Sequence, residues 1–161
     1  MRLLFVCMGN ICRSPTAEGV MRHVLLEAGL ESSVEVDSAG TGAWHVGEPA
    51  DGRARAAARR RRIELTTIAR QVTRADLDEF DLVLAADAAN RRDLLRLAGE
   101  DPGRRAKVRL LREFDSASLQ AGDLDIPDPY YGGGDGFEDV LDIVEAACRG
   151  LLGELRAGTA P

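Results

Sequence analysis

The chain has 161 residues, 45% hydrophobic and 30% charged, with a net charge of −6. That length suits one domain over 1–161 that buries its core without disulfides or a structural metal. The acidic balance argues against a general nucleic-acid binder, three scattered cysteines exclude a disulfide framework, and no apolar run reaches a membrane span. The expectation is a soluble, cytoplasmic protein in a reducing compartment, with no membrane or nucleic-acid partner.

Residues 2–7 are an apolar run ended by Gly9 and Asn10, the pattern of a short buried strand. A helix is predicted from Ser14-Pro15, with Ser as N-cap, Pro in the first turn and Gly29 as its stop. Val34–Val36 reads as a brief strand, followed by the Gly-rich loop 38–45 and a helix over 50–62. The run Arg59–Arg62 at its end is a solvated helix terminus or a docking patch for an acidic partner. Thr73-x-x-Asp76 is the N-terminal signal of a short helical turn. Phe80–Ala86 is a buried strand, Asp87 caps a helix to Leu97, and Lys107–Leu111 is the fourth strand. A loop rich in Asp, Pro and Gly covers 122–136, and an amphipathic helix over 137–156 closes the chain.

Strands alternating with helices predict an α/β three-layer sandwich: a four-stranded parallel sheet with helices on both faces. Ligands of such sheets sit beyond the carboxyl ends of the strands, where the winding reverses. Cys7 stands at the carboxyl end of the first strand.

The segment Cys7-Met8-Gly9-Asn10-Ile11-Cys12-Arg13-Ser14 carries the chemistry. A five-residue loop between Cys7 and Arg13, leading straight into a helix, aims successive amides and the helix dipole at one spot. Gly9 permits close approach, and Asn10 tolerates a left-handed curl. Arg13 offers a planar fork for two phosphate oxygens, and the field that binds phosphate also favours the thiolate of Cys7. Ser14 is placed to donate its hydroxyl to the sulfur. There is no nucleotide P-loop signature, and two histidines leave too few ligands for zinc, so no metal or cofactor is expected.

The stretch Val6-Cys-Met-Gly-Asn-Ile-Cys-Arg-Ser-Pro-Thr-Ala-Glu18 resembles the low molecular weight protein tyrosine phosphatases. The likeness continues through Ser38-Ala-Gly-Thr-Gly-Ala-Trp44, Ala69-Arg-Gln71, Asp87-x-x-Asn90 and Asp128-Pro-Tyr-Tyr131. It implies a flavodoxin-like fold, a metal-free phosphocysteine mechanism, and tyrosine-phosphorylated proteins and phosphate as partners of a monomer or weak dimer. Secretion into a host is left open. By position it makes Cys7 the nucleophile, Arg13 the phosphate clamp and Asp128 the general acid, with residues 8–14 holding phosphate. Trp44, His45, Tyr130 and Tyr131 match the walls that receive the substrate ring. Two departures stand out: Thr67 where some members carry a His that braces the loop Asn, and Ala86 where a Met often precedes the Asp. A weaker bracing network is expected from the first.

Asp128 also makes sense without the resemblance, since a carboxylic acid beside an aryl phosphate can protonate the leaving oxygen and then activate water. Asp-Pro is also common in simple turns. Three other functions compete. A thioredoxin-coupled arsenate reductase would need resolving cysteines within 80–100, which holds none. Phosphoarginine phosphatases of this type tend to place Thr where Ile11 stands, and a non-catalytic phosphate binder would be expected to have lost Cys7, Arg13 or Asp128. Cys12 is either loop packing or a resolving thiol for oxidised Cys7.

Overall fold

The computed structural model of the chain describes residues 1–160. Its elements in chain order are β1 (Arg2–Cys7), α1 (Arg13–Glu27), β2 (Glu35–Gly40), α2 (Gly52–Arg60) and α3 (Arg74–Glu79). Then come β3 (Leu82–Ala85), α4 (Ala88–Ala98), α5 (Pro102–Ala106) and β4 (Val108–Leu110). A 3₁₀ turn (Leu111–Phe114), α6 (Ser116–Ala121) and α7 (Gly136–Ala157) complete the fold.

The four strands are parallel in the order β2-β1-β3-β4, as the alternation of strands and helices implied. The chain moves from β1 outward to β2, then crosses back to place β3 on the other side of β1. The winding therefore reverses between β1 and β3, and the register sets Cys7 beside Gly40 and Val6 beside Ala85 at the carboxyl edge. That edge is where such a sheet opens a crevice.

Strand periodicity divides the core. Leu3, Phe5 and Cys7 of β1 face one layer with Val20 and Val24 of α1 and Val140, Val144 and Leu151 of α7. Leu4 and Val6 face the other, with Leu77, Leu94, Val83 and Val108. Each such large apolar side chain contributes about 1.5–3 kcal/mol by leaving water. At Gly150 of α7 an added Cβ would fall 1.8 Å from the carbonyl oxygen of Phe114, so the helix lies directly on the 3₁₀ turn.

Several boundaries differ from the sequence reading. The second strand runs on to Gly40 and takes the first residues of the Gly-rich loop, because β1 pairs with it up to Cys7. The third strand is confined to Leu82–Ala85; Phe80 instead caps α3 through its amide bond to the Asp76 carbonyl. The first helix begins at Arg13 with Cys12 as N-cap, not at Ser14, whose hydroxyl is engaged elsewhere. The short helices α5 and α6 were not anticipated; Asp101 and Asp115 cap them by accepting amides of their first turns. Thr73 and Asp76 do form the reciprocal capping box of α3. The arginines at the end of α2 are paired within the chain: Arg59 with Glu64, Arg60 with Glu138, and Arg61 with Glu138, Asp142 and Glu145.

Candidate active site

Between β1 and α1 the chain curls around Cys7. Asn10 takes the left-handed conformation (φ 56°), and its amide donates to Cys7 Sγ at 3.3 Å. Ser14 Oγ lies 3.0 Å from the same sulfur. The first-turn amides of α1 have no intrahelical acceptor and carry the positive end of its dipole. Cys7, Met8, Gly9, Ile11, Cys12 and Arg13 line a cleft of about 410 Å³. Asn10 and Ser14 are buried behind the loop rather than on its surface. Their side chains brace it.

That bracing is extensive. Asn10 Nδ2 donates to Ser14 Oγ at 2.9 Å and Ser38 Oγ at 3.0 Å, while its Oδ1 accepts the Arg70 amide at 3.0 Å. Ser38 Oγ and Thr67 Oγ1 both donate to Glu18 Oε2 at 2.6 Å. Thr67 therefore meets Glu18 rather than Asn10, and Asn10 is held by the Arg70 main chain in its place. Ala86, the other departure, lines a narrow void beneath Arg13 and Ser14 with Phe5, Leu84 and Ile126.

Arg13 is buried. Its Nη1 donates to Asp87 Oδ2 at 2.6 Å and to the Ile126 carbonyl at 3.0 Å, and Nη2 lies 3.7 Å from Asp128 Oδ2. Burial works against its charge, but Cys7, Asp87 and Asp128 outweigh that and hold the guanidinium above its ordinary value. Burial pushes the Cys12 thiol up to about 12, with the charges of Asp51 and Cys7 adding to the effect. Cys148 is fully buried and also pushed up, mainly by burial.

Asp128, Tyr130 and Tyr131 come to the cleft from the 122–135 loop, and Trp44 and His45 from the loop after β2. Asp128 Oδ1 accepts the Tyr130 amide at 3.1 Å. Tyr130 and Tyr131 meet edge to face at 4.8 Å, and Arg53 lies 5.4 Å over the Tyr130 ring. Trp44 lies across Gly42, where a Cβ would fall 1.8 Å from its ring; it is 73% exposed, and Tyr131 is 89% exposed. His45 Nδ1 is 2.8 Å from Glu48 Oε2.

Every site residue expected from the sequence thus gathers at or directly behind one cleft. Four groups were missed in that role. Asp87 was read only as a helix cap, yet it does both: Oδ1 accepts the Asn90 amide and Oδ2 holds Arg13. Glu18 and Ser38 stood inside quoted motifs with no role attached, and a main-chain carbonyl such as that of Ile126 leaves no signal in residue types.

A crevice at the sheet's switch point, with a cysteine, an arginine and a carboxylate facing it, is the layout of a cysteine-dependent phosphatase. Comparison with known proteins gives the same class. The family model described as low molecular weight phosphotyrosine protein phosphatase matches residues 2–160. A low molecular weight protein-tyrosine-phosphatase of Streptomyces coelicolor is 53% identical over 155 residues, covering 96% of this chain and 93% of its own. A protein tyrosine phosphatase of Entamoeba histolytica, crystallised with Hepes in the active site, superposes with a TM-score of 0.92 at 39% identity, covering 99% of both chains. A Drosophila arginine phosphatase superposes with a TM-score of 0.89 at 29% identity, covering 97% of this chain and 98% of its own. The chain belongs to the low molecular weight protein-tyrosine-phosphatase family.

Proposed function

We propose that residues 1–161 act as one domain that hydrolyses protein phosphotyrosine through a phosphocysteine intermediate. The carrying observation is the sulfur of Cys7 receiving the Asn10 amide and facing Ser14 Oγ, in a cleft that also holds Arg13 and Asp128. Arg13 and the loop amides grip the phosphoryl oxygens and neutralise charge as it spreads over them. The thiolate attacks phosphorus, the S–P bond forms, and the P–O bond to tyrosine breaks as Asp128 gives its proton to the leaving oxygen. Water then attacks phosphorus, Asp128 takes its proton, and the S–P bond breaks to free phosphate. Ser14 steadies the sulfur as it leaves.

Rapid-mixing hydrolysis of p-nitrophenyl phosphate tests this. The wild type should release a burst of nitrophenol and yield a covalent phosphoprotein trapped by rapid denaturation. Cys7→Ser should do neither while still binding phosphate. Asp128→Ala should slow aryl phosphates with poor leaving groups by about 10²–10⁴-fold and good ones far less. Equal slowing across leaving groups would remove Asp128 from the acid role.

Phosphoarginine is the second reading, motivated by the likeness to the Drosophila arginine phosphatase. Ile11 is buried in the cleft floor and offers no hydroxyl there, which supports phosphotyrosine. Matched phosphotyrosine, phosphoserine and phosphoarginine peptides decide between them by kcat/KM.

A further inference from the structure

Four donated bonds converge on the two oxygens of Glu18, whose side chain is only 7% exposed. Ser38 and Thr67 donate to Oε2, and Arg22 donates from Nε and Nη2 to Oε1 at 3.1 and 2.9 Å. A group surrounded by donors has to accept at every contact. A carboxylate does so; an amide or a carboxylic acid does not.

Two anchors set the later bonds: Glu18 fixes the hydroxyl of Ser38, and the Arg70 amide fixes the turn of Asn10. The Arg70 amide donates to Asn10 Oδ1, so Asn10 Nδ2 has to give its hydrogens to Ser38 and Ser14. Ser38 accepts one of them while its own hydrogen is committed to Glu18. Ser14, accepting the other, has its hydrogen free for Cys7 Sγ at 3.0 Å or the Ala39 carbonyl at 3.3 Å. The nearer contact and the charge of a thiolate select the sulfur.

We propose that Glu18 is a positioning residue for the nucleophile: a buried carboxylate, held by Arg22 and Thr67, that acts through Ser38 and Asn10 to keep Ser14 donating to Cys7. The inference rests on the reading of Cys7 as nucleophile. Its consequence falls mainly on the second step, where the sulfur must leave phosphorus as a thiolate. In Glu18→Gln the amide brings two hydrogens to a place that already receives four donated bonds. Whichever way it turns, Arg22 or the two hydroxyls then face a donor, and Ser38 loses its fixed direction.

The test is rapid-mixing hydrolysis of p-nitrophenyl phosphate by the full chain as wild type, Glu18→Gln and Arg22→Gln, with rates expressed per folded molecule. Phosphoenzyme breakdown should slow about tenfold in Glu18→Gln, the kinetic equivalent of one weakened hydrogen bond. It should slow about threefold in Arg22→Gln, where the carboxylate remains but loses one partner. Burst amplitude should stay near one per folded molecule in both, and KM should change less than kcat. Breakdown constants within twofold of wild type in both variants would overturn the proposal. So would a loss confined to the folded fraction, with the constants per folded molecule unchanged. Arg22 is 55% exposed, so Arg22→Gln decides alone if Glu18→Gln does not fold. A wild type with neither burst nor trapped phosphoprotein would sink the parent reading of Cys7 and not Glu18 in particular.

Discussion

Cys12 shares the loop with Cys7 but not its surroundings. Burial, with the charge of Asp51, keeps its thiol protonated at neutral pH, so in the resting protein it packs rather than reacts. The proposed role as a resolving thiol begins only once Cys7 is oxidised to a sulfenic acid. The sulfur of Cys12 would then attack that of Cys7, forming a disulfide and releasing water. Peroxide-inactivated wild type should therefore regain activity with dithiothreitol, whereas Cys12→Ser should remain largely inactive. Equal recovery of the two would leave Cys12 as packing alone.

Two helix termini set local stability. Arg62 follows α2 at φ 62°, with Ile63 donating back to the Ala58 carbonyl at 3.0 Å, a helix ending whose left-handed position is usually glycine. Arg62→Gly removes the steric cost of a side chain there, partly offset by the freer unfolded chain. A net gain of about 0.5–1 kcal/mol is expected, measured by urea denaturation. At the start of α3, burial raises the Asp76 carboxyl but bonds from Arg70 and Thr73 outweigh it, leaving it below the ordinary carboxylate range. A depressed folded-state value adds stability above the unfolded carboxyl's titration, lost as pH falls through the folded value. Asp76→Asn should thus be about 1–2 kcal/mol less stable than wild type at pH 7, and the gap should close toward pH 2. A gap that persists in acid would assign the loss to packing.

Across the whole molecule, the cleft joins a floor made by the Cys7–Arg13 loop to aromatic walls. Trp44 stands exposed on a loop whose backbone passes beneath its ring at Gly42, so it presents an apolar face beside the Cys7–Arg13 loop. Trp44→Ala should raise KM for a phosphotyrosine peptide about tenfold and leave inhibition by inorganic phosphate unchanged. A matching loss of phosphate inhibition would show that the loop, not the ring, had been disturbed. What the sequence disclosed of this cleft follows from distance along the chain. Cys7, Arg13 and Ser14 belong to one turn, so their spacing alone displays the chemistry. Glu18, Ser38, Arg70 and Asp87 meet only through the sheet order, and a buried carboxylate reads in sequence like any helix-surface Glu. Helices α5 and α6 stayed hidden because five or six residues hold too little periodicity to separate from a loop.

Ile126 ties two parts of the molecule with one peptide: its amide donates to the Ala86 carbonyl at 2.8 Å, and its own carbonyl accepts from Arg13. The segment that carries Asp128 is thereby moored to the Arg13 guanidinium. Widening the entrance from that side would loosen the hold on Arg13 at the same time. Room for a bulkier substrate is therefore easier to make on the opposite bank, at Trp44 and Val46, whose exposed side chains stand clear of that mooring.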